Sequence, residues 1–190
     1  MTALFVASAL FSGMAMADDS TLATNDTSQA TLNFEGRVTS NACQISTNDI
    51  DKTINLGEVT LNQLESAATK SQSFSVELVN CDTNTSEIHY TLADTNAAES
   101  KVDYLIPVSG DTSATGVGVF VEKADNTAVT TGEEYSLEDL GVSGDNTLSS
   151  QTIALQAAIR KLDDSTDVTP GSVNAKGTLT IRTVVSTATP

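Results

Sequence analysis

The sequence predicts an all-β chain folded as an antiparallel β-sandwich, on three observations. Short runs alternate apolar and polar residues, polar Gly-containing links separate them, and no helical period runs long enough to organise a fold. Two cysteines in a chain with an export signal add a disulfide to that frame.

The export signal comes first. Residues 1–17 are uncharged and apolar, end in Ala15-Met16-Ala17, and are followed at once by Asp18-Asp19. Small residues where a signal peptidase reads, on a run too short and wrongly flanked for a membrane span, predict cleavage after Ala17. No Lys or Arg precedes the run, so a start a few residues further upstream is expected. Residues 18–30, DDSTLATNDTSQA, are polar and aperiodic, and predict an arm that is structured only when something holds it.

The run over 31–43 is the most informative. Read at period two, one face carries Leu32, Phe34, Gly36, Val38, Ser40 and Ala42, and the other Asn33, Glu35, Arg37, Thr39 and Asn41. A glycine weakens a strand and packs nothing, and often marks a place where another backbone comes too close for a Cβ. Two readings fit: an ordinary first strand of the sandwich, or a strand given to another molecule.

Further runs follow in order. Thr53-Ile54-Asn55-Leu56-Gly57 alternates, and residues 73–81 alternate most clearly, with Phe74, Val76 and Leu78 inward. Ile88, Tyr90 and Leu92 make the next strand, and Val117 to Val121 another, followed by a turn through Asp125-Asn126. Ile153, Leu155, Ala157 and Ile159 alternate, as do Leu179, Ile181 and Thr183. Residues 60–68 and 136–140 are each expected to hold at most a helical turn. Cys43 and Cys81 predict a disulfide; closing a loop of that length stabilises by about 4 kcal/mol in the chain-entropy model.

Composition narrows the function. Nine Lys and Arg against 25 Asp and Glu give a net charge of −16, so the field of the whole molecule repels nucleic acid and anionic lipid. Without Trp, a carbohydrate-stacking platform is hard to build. A metal pair at the cysteines lacks a second Cys/His cluster, because His89 is the one histidine and lies in a strand pattern. Nucleophilic catalysis needs a nucleophile with a base, and that same His89 is a poor candidate, so no enzyme is expected. Asp163, Asp164 and Asp167 lack the ligand spacing and glycine of a calcium loop, and read as a solvated loop. The sequons at Asn25 and Asn84 matter only in a eukaryotic secretory route. No cofactor and no small-molecule substrate is expected.

The ordered motifs resemble those of type 1-like fimbrial (pilin) subunits of the chaperone–usher pathway. They are Phe34-x-Gly36-x-Val38 ahead of Cys43, Leu56-Gly57-x-Val59, Phe74-x-Val76-x-Leu78-x-x-Cys81, Gly116-Val117-Gly118-Val119, and residues 169–175 leading to the last strand. The resemblance implies an incomplete immunoglobulin-like sandwich of six strands, its final strand supplied in trans. It implies an organisation of signal peptide 1–17, an arm with a donor strand 18–42, and a pilin domain 43–190. Leu32, Phe34, Gly36, Val38 and Ser40 would be the donor residues, with Gly36 at the constricted site of the groove. Leu179, Ile181 and Thr183 would lie on the acceptor edge. It further implies that a periplasmic chaperone first lends a strand, that an outer-membrane usher exports the subunit, and that the arm of an identical or related subunit completes it in a linear homopolymer supporting adhesion at the cell surface. This exchange is an established case of strand addition. The chain departs from the family at its end: where members usually carry an aromatic, this one has Thr183, followed by Val184 to Pro190. The rival reading is a self-contained secreted or tip-located binding module with a complete sandwich.

Overall fold

The structure, a computed structural model, describes residues 42–97 and 101–186. A five-stranded sheet has the order β1-β2-β9-β5-β4, a three-stranded sheet the order β10-β3-β6, and β7 and β8 form a small hairpin. The strands are β1 Gln44–Ile45, β2 Gln72–Val79, β3 Thr85–Asp94, β4 Tyr104–Leu105, β5 Val117–Lys123, β6 Glu134–Ser136, β7 Val142–Ser143, β8 Asn146–Thr147, β9 Gln151–Lys161 and β10 Gly177–Val185. These ten segments exceed the six strands expected. Five of them are the long strands β2, β3, β5, β9 and β10, and the rest are ladders of two or three residues at the sheet rims and in the hairpin.

The alternating pattern places the core. In the larger sheet Phe74 lies opposite Leu155 and Val76 opposite Ile153, while Val119 faces Ile159 and Val121 faces Ala157 across the next ladder. In the smaller sheet Ile88, Tyr90 and Leu92 of β3 point to the same core. Leu78, Ile88 and Ile153 are sealed from solvent. Fully burying such a side chain contributes roughly 1.5–3 kcal/mol. The disulfide Cys43–Cys81 is formed, with Cα atoms 4.0 Å apart, joining the residue before β1 to the exit of β2.

Among the described residues helix is confined to α1, Leu61–Glu65. Thr60 caps it: its Oγ1 accepts from the Gln63 amide at 3.3 Å, while Gln63 Oε1 accepts from the Thr60 amide at 2.9 Å. The turn buries Leu64 against the core. The turn expected over 136–140 is not helical. Ser136 is held in the β3–β6 ladder opposite His89, and the Leu137 amide continues it by donating to the Ile88 carbonyl at 2.8 Å.

The expected turn after β5 is present. Asn126 takes φ 68°, a left-handed conformation asparagine tolerates, and Asp125 Oδ1 accepts from the Thr127 amide at 2.9 Å. The glycines of two sequence motifs meet at one seam. A Cβ on Gly171 would lie 2.3 Å from the Ala114 nitrogen, and one on Gly116, at φ +74°, would lie 2.5 Å from the Asp167 carbonyl oxygen. The chain segments around 113–116 and 167–172 cross too closely there for any side chain.

Candidate subunit-docking groove

The candidate site is built from two stretches of backbone without a partner strand among the described residues. One is β10. It pairs antiparallel with β3 over its whole length, Leu179 opposite Leu92, Ile181 opposite Tyr90 and Thr183 opposite Ile88. Its other edge has no ladder among the described residues, as its place at the end of the sheet order requires. Alternation turns Leu179, Ile181 and Thr183 inward, half-buried, and Leu179 and Ile181 pack against the core cluster.

The other is residues 53–59, and here the structure corrects the strand expected over Thr53 to Gly57. The segment keeps the alternation over Ile54 and Leu56, half-buried between exposed neighbours, and breaks it at Gly57-Glu58 before the half-buried Val59. It joins no ladder, however, and among the described residues none of its amides or carbonyls bonds to another backbone group. A strand-like sequence without a partner strand is an unpaired edge. Pairing obligations of backbone polar groups make such an edge a template for another strand.

A cleft of about 660 Å³ opens between residues 53–61 and the loop 168–174 that leads into β10. Leu56 and Val59 line one side, Val168 and Val173 the other, and Leu64 and Ile159 the floor. Leu64 and Ile159 are buried, whereas the four wall residues are half-exposed and packed on the core. Apolar side chains on both sides, a core floor and a stretch of backbone without a strand partner are parts that a docking strand can use.

At the far end of β10 the chain itself takes part. The Ala42 amide donates to Thr183 Oγ1 at 3.1 Å, and the Ala42 carbonyl accepts from the Asp82 amide at 2.7 Å. Ala42 therefore belongs to the network of the domain, although the sequence reading put the arm's end there. Leu32, Phe34, Gly36, Val38 and Ser40 lie outside the described residues. Sequence reading missed the part of the 168–174 loop in the cleft and the role of 53–59 as an unpaired wall. The alternation of Ile54 and Leu56 was a signal for a strand, but carried no sign that its partner was missing.

The outward face of the smaller sheet is charged. Arg182 Nε and Nη2 donate to the two oxygens of Glu134 at 2.8 and 2.7 Å, and this holds the Glu134 carboxyl below its usual range. His89 Nε2 lies 2.9 Å from Glu87 Oε2, and Ser136 Oγ lies 3.1 Å from His89 Nδ1. The histidine is thus absorbed in a network across β10, β3 and β6, on the face away from the core. Asp163 is engaged within its own loop. Ser165 and Thr166 hydroxyls and the Ser165 amide donate to its carboxylate, and these bonds lower its pKa to about 2.

Comparison with known proteins bears on what such a groove is for. Residues 32–183 match the family described as Fimbrial protein. The chain is 41% identical over 184 residues to fimbrial protein 987P of Escherichia coli, covering 94% of this chain and 93% of that one. It is 30% identical to the type 1 fimbrial protein A chain of Salmonella typhi, covering 93% and 94%. Among solved structures, a chain from a chaperone–usher pilus aligns with a TM-score of 0.59 at 23% identity, over 81% of this chain and 94% of that one. The P pilus rod subunit PapA aligns with a TM-score of 0.54 at 19% identity, over 75% and 99%. At those identities the structures speak to the fold.

Proposed function

The chain belongs to the fimbrial protein family, and from that premise we propose that it is a structural subunit of a surface fimbria that polymerises by exchange of donor strands. The arm of one copy, through Leu32, Phe34, Gly36, Val38 and Ser40, fills the groove of another between β10 and residues 53–59. A periplasmic chaperone holds the groove before assembly, and an outer-membrane usher delivers the subunit to the growing fibre at the cell surface. The subunit acts by assembling, and the fibre carries adhesion.

The observation that supports this reading is the unpaired backbone of residues 53–59 beside a cleft floored by the core, together with the unladdered edge of β10 among the described residues. Incoming backbone groups bond along β10, and the apolar face of the arm covers Leu179, Ile181 and the cleft. A slip by one residue turns Glu35 and Arg37 into the core, so the alternation itself rejects that register.

The deciding experiment removes the arm. Because Ala42 is bonded to its own domain, the deletion covers residues 18–40. The shortened subunit should still be captured by its chaperone, yet should not appear in fibres as a donor. A truncated chain that fails to fold even with chaperone present places the strand in its own core, and overturns the reading.

A further inference from the structure

The long strand β2 lies next to the rim of the larger sheet, and β1 covers only its Leu78 and Val79. From Gln72 to Glu77 its outer side therefore has no ladder among the described residues. An edge of that length is a template for a strand of another molecule.

This edge is nevertheless closed, largely by side chains. The Ser46 amide donates to the Glu77 carbonyl at 2.8 Å, so Glu77 faces outward and, by alternation, so do Ser75 and Ser73. The ladder ends there, because the Ser46 carbonyl turns to accept from the Asp49 amide at 2.9 Å. The Glu77 amide donates instead to Asp49 Oδ2 at 2.7 Å. Lys52 Nζ then donates to the Ser75 carbonyl at 2.6 Å and to Asp49 Oδ1 at 2.7 Å. The Gln72 side-chain amide donates to the Ser73 carbonyl at 3.1 Å. The Asp49 side chain is only 9% exposed, which shields its bonds from water.

The other long strands are covered by backbone. β4 and the Val129 amide, which donates to the Val121 carbonyl, lie along β5. β6 and the Leu137 and Gly132 amides, which donate to the Ile88 and Leu92 carbonyls, lie along β3. The guard on β2 ends at Lys52, and the stretch without a backbone partner begins at the next residue.

Resting on the strand-exchange reading, we propose that Asp49 and Lys52 are specificity residues of assembly, holding the β2 edge closed to other copies of the chain so that strands join only at the groove. The partner excluded is a second copy. Every subunit of a fibre carries the same edge, and two such edges meeting antiparallel about a two-fold axis are self-complementary.

The test compares fibres of the full-length chain by low-speed sedimentation and electron microscopy. Fibres of the natural sequence should stay dispersed. Asp49→Ala with Lys52→Ala leaves the net charge unchanged, and should bundle fibres side by side, with the pelleted share rising severalfold. Asp49→Asn keeps an acceptor for the Glu77 amide and should stay dispersed. Adding Ser75→Pro to the double variant should disperse the bundles, since a proline at an outward position of an edge strand offers no donor to a new ladder. A double variant as dispersed as the natural chain would overturn the proposal, and so would bundling by Asp49→Asn. Bundles that survive Ser75→Pro would trace to a loosened fold, and a double variant that forms no fibres would place the pair in folding; either result also overturns it. Strand donation is checked separately with the chain lacking residues 18–40: fibres formed without the arm would overturn that reading, however the β2 variants behave.

Discussion

The amide of Ala42 donates to the side-chain oxygen of Thr183, 141 positions further along the chain and 3.1 Å away. With the adjacent Cys43–Cys81 bond, this contact fixes the root of the arm beside the end of β10. The hydroxyl of Thr183 thus has structural work. Thr183→Val keeps the shape and removes the acceptor. It should cost about 1 kcal/mol, and thermal unfolding should show a loss of about 2–4 °C. An unchanged midpoint would mean that water replaces the bond at no cost.

The disulfide closes a loop between positions 38 residues apart. Replacing both cysteines by serine should remove roughly 4 kcal/mol, chiefly by freeing the unfolded chain. Thiol titration of the denatured, unreduced protein should find no free thiol; two reactive thiols would contradict the pairing.

Gly36 tests the fit of the arm in the groove. In an isolated strand Gly→Val should help, because valine favours extended backbone. Inside a tight acceptor site the same change overpacks, at typically 1–3 kcal/mol. Gly36→Val should therefore lower fibre yield while export and chaperone capture continue. Normal fibre yield would place Gly36 away from any constriction.

Asp163 gives a prediction in pH. Its pKa is lowered to about 2, first by the Ser165 hydroxyl and then by that of Thr166. A lowered carboxyl contributes stability above the usual carboxylate range, and that contribution fades as pH falls through about 2. Ser165→Ala should raise the Asp163 midpoint toward the ordinary value, as followed by side-chain carboxyl NMR. A midpoint unmoved by the substitution would assign the shift to another cause.

Much of the sandwich was legible because its alternation is clean. Phe74, Val76 and Leu78, and then Ile153, Leu155, Ala157 and Ile159, could only be one face of buried strands, and they pair as neighbours in one sheet. The groove was legible only in part. Leu179 and Ile181 announced β10, but alternation reports which face is buried and says nothing about whether an edge is filled, so Ile54 and Leu56 read as an ordinary strand. The loop wall of Val168 and Val173 carries no period at all. Its place depends on the crossing at Gly116 and Gly171, which brings together segments more than 50 positions apart, as in the Thr115–Thr169 bridge. The contact between Ala42 and Thr183 is likewise a product of the closed fold.

The central claim is that the groove lacks a strand and that residues 31–41 supply it. Thermal unfolding of the subunit lacking residues 18–40, with and without a peptide of residues 31–41, tests it directly. Burying Leu32, Phe34 and Val38 should contribute about 1.5–3 kcal/mol for each side chain fully covered, so the native peptide should raise the midpoint strongly. A peptide with Asp at both position 34 and position 38 should leave it unmoved. A shortened subunit that is equally stable with no peptide already has a complete sandwich, and that result would contradict the account.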